Sequence, residues 1–186
     1  LSGQRERRLS GVARVVITGC GVVTPIGIGE EAFASSLNVG RSGIVRASFR
    51  EEGVSPSKAA EVARQVFDGC HQENLLDKFG RTTAFSILAG KRALESAGIA
   101  SGASRPFEIG LIMGTRHGEF ISQIESHQKV FQGTPKFISP NRFRYLVPNT
   151  LGGEVCIQLG LRGYNSFLCD AGASSALSVA MAYERL

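Results

Sequence analysis

No apolar run in this 186-residue chain approaches the ~20 residues that span a bilayer; runs such as Ile109–Met113 are far shorter, so no membrane span is expected. Paired cysteine motifs are missing too. Cys20, Cys70, Cys156 and Cys169 are scattered without CxxC spacing, which fits neither a structural zinc site nor a disulfide framework. Reduced thiols and a cytoplasmic setting follow as the expectation. Histidine is equally sparse: His71 sits in a polar stretch, and His117 and His127 stand ten residues apart, whereas helical metal ligands are usually three or four apart. No metal or cofactor is expected. The opening LSGQRERRLSG lacks the apolar core of a secretory signal, and residues 1–12 read as a flexible leader or interdomain remnant.

What is present is an ordinary globular balance, 42% hydrophobic and 20% charged, which excludes disordered and collagen-like classes. The formal charge of +5 invites a nucleic-acid reading, because clustered cations release counterions from phosphates. However, Arg5, Arg7, Arg8 and Arg14 against Glu6 concentrate +3 of it in the first 14 residues. The remainder is nearly balanced, and no nucleic-acid partner is expected.

Along the chain, strands alternate with helices. Strands are expected at Arg14–Thr18, Ala59–Ala63, Glu108–Met113 and Tyr164–Cys169. Helices are expected at Glu30–Leu37, Thr82–Ala97, Phe120–Val130, Asn149–Leu159 and Ala173–Leu186. Residues 38–57 read as a long irregular connection, and Gly98 and Gly160 as helix stops. This order predicts an α/β fold with a parallel, helix-covered sheet. The last helix shows no stop signal, which leads us to expect that the polypeptide continues beyond 186.

Two glycine-containing turns could carry chemistry. GCGVVTPIG follows the first strand like a dinucleotide fingerprint, but Thr24 stands where the third glycine belongs, which favours a structural turn over a phosphate site. CDAGASS, after the last strand, is the more specific signal. A side chain at the tip of such a turn is held out of the sheet, and the helix that follows offers unpaired N–H groups and a positive dipole end. The tip is Gly172, which has no attacking atom. Cys169 reads as a buried strand thiol with a small prospect of acting as the nucleophile. Ser174 and Ser175 read as helix-start hydrogen-bonding residues and Asp170 as a cap or a buried acid, capping being the expected role.

These segments, in this order, resemble the N-terminal half of the β-ketoacyl synthase family, the thiolase-fold condensing enzymes of fatty-acid and polyketide synthesis. The likeness rests on RVVITGCGVVTPIG, GRSGI (40–44), KFGRTTAFSILAGKRALESAG (78–98), ISPNRFRYLVPNTLGGEVCIQLGLRG and NSFLCDAGASSALSVA. The resemblance implies a thiolase-like layered αβαβα fold, of which residues 13–186 form the N-terminal half. It also implies a covalent route: a turn cysteine takes the acyl group from a carrier thioester, and the acyl enzyme is attacked by a decarboxylating malonyl unit. Gly172 falls where that cysteine belongs and Asp170 replaces the usual threonine, while the family's catalytic histidines and lysine belong to the second half. Covalent catalysis requires the thiolate, so this chain should not condense by itself.

A cysteine-less homologue resembles the chain-length factor, a noncatalytic subunit that pairs with an active ketosynthase and serves an acyl carrier protein; many carry glutamine at the position of Gly172. The partner expected is thus a catalytic ketosynthase subunit in a heterodimer, or a second copy in a self-dimer. Phe137, Phe143, Tyr145, Asp170, Ala173 and Ser174 are the residues expected at its cavity or interface. Two other readings stay open: an active synthase (a Claisen-condensing acyltransferase) whose cysteine has been replaced by Gly172, and an isolated half-domain that acts as a binding module.

Overall fold

The computed structural model describes residues 14–47, 57–63, 66, 75–99, 108–134, 136, 140 and 144–186; the leader, Cys70, His71, Phe137 and Phe143 lie outside the described residues. The chain runs β1 (Val23–Thr24), β2 (Gly27–Ile28), α1 (Glu30–Asn38), β3 (Ile44–Arg46), β4 (Lys58–Ala60), α2 (Leu75–Lys78) and α3 (Arg81–Ser96). It continues through β5 (Leu111–Gly114), α4 (Phe120–Phe131), a 3-10 turn (Arg144–Leu146), α5 (Thr150–Leu159), β6 (Asn165–Leu168), a second 3-10 turn (Ala171–Ala173) and α6 (Ser174–Arg185).

The expected parallel sheet is represented by β5 and β6, paired in parallel from Leu111 opposite Asn165 to Gly114 opposite Leu168. Successive strand residues point to opposite faces, and here they meet different helices. Asn165 Oδ1 lies 2.9 Å from the place a Cβ on Gly152 of α5 would take. The next residue, Ser166, donates its hydroxyl toward Met181 Sδ of α6 at 3.8 Å. The two helices therefore cover opposite faces of the pair, which is how a parallel sheet keeps both apolar sides from water.

Apolar positions three and four apart on α3 place Ala84, Ile87 and Leu88 on one face, where they meet Val155 and Leu159 of α5 together with Val62, Leu75 and Phe79. Leu111 of β5 packs against the same cluster. Close helix contact is possible because Gly90 has no side chain: a Cβ there would lie 2.6 Å from Leu159 Cδ1. Gly160, at φ 70°, ends α5 as expected, and the N–H of Leu161 returns to the Cys156 carbonyl at 2.9 Å.

Several expectations are corrected. Arg14–Thr18 forms no strand: Val16 and Ile17 are 64% and 84% exposed. A β-branched run becomes a strand only where a neighbour completes its hydrogen bonds, and none of the described strands lies beside it. The strand placed at Ala59–Ala63 shifts to Lys58–Ala60, where β3 pairs with it in antiparallel fashion. β3 itself lies inside the stretch expected to be irregular, since a three-residue run carries no periodicity to detect. In GCGVVTPIG, a Cβ on Gly21 would collide with the Ala89 carbonyl, and one on Gly19 would lie 2.5 Å from the Ala97 nitrogen. The glycines thus serve close packing against α3.

Candidate functional site

β5 and β6 end side by side, and the segments that leave them meet. The N–H of Thr115 donates to the Leu168 carbonyl at 3.0 Å, and the Cys169 thiol donates to the Arg116 carbonyl at 3.3 Å. The chain then turns sharply into α6. Ala173 N–H closes on the Asp170 carbonyl at 3.0 Å, and Ser174 Oγ accepts the Asp170 N–H at 2.8 Å while donating to the Ala171 carbonyl at 3.2 Å. With one oxygen doing both, Ser174 is 2% exposed and holds the turn shut. The exposed Asp170 makes no side-chain cap, contrary to its expected role; its backbone is what the turn engages.

Ala171 has φ 42°, the one non-glycine residue at positive φ among the described residues. The left-handed region costs an L-residue about 1–2 kcal/mol through its Cβ. Ala171→Gly is therefore expected to raise stability by about 0.5–1 kcal/mol after the added unfolded-state entropy of glycine, measured by urea unfolding. Gly172 itself is different. Its φ lies outside the left-handed region, and a Cβ placed on it meets nothing within 4 Å. Neither backbone conformation nor space demands a glycine at the tip.

The remaining candidates spread out. Cys169 is exposed where a buried thiol was expected, since β6 ends one residue earlier. Ala173 and Ser175 are exposed beside Gly172. Tyr145 lies in the 3-10 turn after α4, a segment tied to α5 by the Arg144–Glu154 ion pair at 2.6 Å and by the Thr150 hydroxyl donating to the Arg144 carbonyl at 2.8 Å. His117 lies against the Phe120 ring and His127 is exposed, and no group of three metal-ligating side chains occurs among the described residues. Burial pushes the Cys156 thiol up from its ordinary value, toward the inert neutral form. No helix among the described residues is long and apolar enough to cross a membrane.

Two clefts of about 450 and 420 Å³ border α1, and neither is lined by any residue of the 169–174 turn. Apolar side chains are exposed on the helices that follow β5 and β6. Val179 and Tyr183 of α6 are 68% and 57% exposed, and Phe131 of α4 is 87% exposed. Sequence reasoning missed Glu119, which is 2% exposed beside the turn's neighbour segment. An acid at a helix start reads as a solvated dipole partner, so nothing in GTRHGEF marked it as buried.

A parallel strand pair covered by helices on both faces, with a strand-to-helix turn whose tip is a glycine, is an α/β arrangement. The β-ketoacyl synthase N-terminal domain model matches residues 12–186, and the chain belongs to that family. It is 28% identical over 182 residues to a polyketide β-ketoacyl synthase 1 of Streptomyces virginiae, covering 92% of this chain and 42% of that protein. It is 29% identical to the 3-oxoacyl-[acyl-carrier-protein] synthase 2 of Vibrio cholerae, covering 85% and 38%. Among solved structures, the ishigamide ketosynthase/chain length factor matches with a TM-score of 0.70 and 25% identity, over 83% of this chain and 39% of that one. The chain thus spans about two-fifths of the length of these relatives.

Proposed function

We propose that this chain belongs to a noncatalytic, chain-length-factor-type subunit that pairs with an active β-ketoacyl-ACP synthase and serves an acyl carrier protein in fatty-acid or polyketide biosynthesis in the cytoplasm. The observation that carries the reading is Gly172. We assign it the position of the family's nucleophilic cysteine, where a side chain would meet nothing within 4 Å and no positive φ requires glycine. A missing nucleophile with no packing reason is a chemical choice. The solved ketosynthase/chain length factor among the similar structures supports the pairing, as do the apolar faces of α4 and α6. Phe137, Phe143, Tyr145, Asp170 and Ala173 are the residues we assign to the shared cavity or interface; Ser174, expected with them, is buried and closes the turn instead.

The same open space favours a second reading, an active synthase whose cysteine has been replaced, because a cysteine would fit without displacing anything. Native mass spectrometry of the whole polypeptide, purified untagged from its own source, separates the two. The expected result is a complex with a cysteine-bearing homologue, with no acyl mass on this subunit. A homodimer carrying a covalent acyl group would overturn the proposal and make Cys169 the first residue to mutate.

A further inference from the structure

We propose that Glu119 is a positioning residue for the Gly172 turn: it caps α3 from outside that helix and thereby holds the 115–119 segment against the turn. The inference does not depend on which partner or activity the turn serves. Helix α3 begins at Gly80, which has no side chain to satisfy the first-turn N–H groups, and no side-chain cap is made from its own N-cap position. Glu119 supplies it. Its Oε1 accepts the Thr83 N–H at 2.7 Å and the Thr83 hydroxyl at 2.7 Å. Thr83 is the third residue of α3, whose N–H an ordinary N-cap oxygen would take.

The arrangement needs both residues. A Cβ on Gly80 would collide with the Glu119 carboxylate, so the glycine that removes the local cap also opens the space for the remote one. The Thr82 hydroxyl adds a second tie, donating to the Gly118 carbonyl at 2.9 Å. On its other side the segment, closed on itself by the Gly118 N–H donating to Thr115 Oγ1 at 3.3 Å, meets the end of β6 through the Thr115 N–H to the Leu168 carbonyl and the turn through the Cys169 thiol to the Arg116 carbonyl. Glu119 also begins α4, its carbonyl accepting the Gln123 N–H at 3.2 Å. One buried carboxylate thus connects the start of α3, the start of α4 and the segment that touches Cys169. A buried acid is costly to place without such partners.

Iodoacetamide labelling followed site by site by mass spectrometry tests the proposal on the folded chain, with Cys169 as the reporter and the partly buried Cys156 of α5 as the control for general loosening. Glu119→Ala is expected to speed labelling of the exposed Cys169 by about fivefold, the equivalent of the one hydrogen bond that ties its thiol to the Arg116 carbonyl, with Cys156 unchanged. Glu119→Gln keeps an acceptor oxygen for both Thr83 donors and is expected to restore the slow rate. An unchanged Cys169 rate, a rise in step with Cys156, or a Glu119→Gln that behaves like alanine would each overturn the positioning role.

Discussion

Gly172→Cys in the whole polypeptide is expected to yield a folded protein with an alkylatable thiol and no robust condensing activity. The folding half of that expectation is steric: a Cβ at 172 meets nothing within 4 Å, and the backbone is outside the left-handed region. The chemical half concerns what surrounds the thiol. Its neighbour two residues back is Asp170, an exposed carboxylate, and a nearby negative charge disfavours a thiolate. The start of α6 pulls the other way, because its N–H groups and dipole favour an anion. Thiolate character alone still does not condense on the proposed reading, in which the histidine and lysine partners lie in the second half. Where a catalytic unit loses members, the rest rarely recover more than a small fraction of a rate enhancement of about a millionfold. Turnover with acyl- and malonyl-carrier thioesters, set beside a cysteine-bearing homologue, is the measurement. Robust activity would show that the second half is competent, and would replace the chain-length-factor reading with that of a synthase lacking its cysteine.

Leu88→Ala is expected to destabilise the chain by about 3 kcal/mol, lowering the thermal midpoint by about 10 °C for a domain of this size. Leu88 is 1% exposed and sits in the cluster shared by α3, α5 and the residues before α3. The cavity would open inside a cluster whose other members, Ala84, Ile87 and Val155, are buried as well. Differential scanning calorimetry checks the value. A shift of only a few degrees would mean that α3 and α5 separate easily, and that this contact contributes little to holding the fold.

Periodicity was enough to place the five longer helices to within a few residues, while the four-residue α2, too short to show a period, was not expected. The α3 stripe of Ala84, Ile87 and Leu88 is written at helical spacing, so local geometry and burial agree without outside help. The last turn was legible for the same kind of reason: an apolar run, a tight Asp-Ala-Gly and a small-residue helix follow one another directly, and the structure has β6, the 3-10 turn and α6 in that order. Arg14–Thr18 was misread because strand formation belongs to a pair, and a single segment carries no information about its neighbour.

The sequence by itself determined the five longer helices, the strands β5 and β6 between them, and the turn with its empty tip, because each depends on residues adjacent in the chain. Tertiary structure alone decided that Gly172 has room for a side chain, that GCG packs on α3, and that Ser174 rather than Asp170 closes the turn. It also decided that Glu119 is buried and caps a helix whose first turn lies 36 residues earlier. These facts turn on distances between residues remote in sequence, and the packing that sets those distances exists only once the helices and strands have come together.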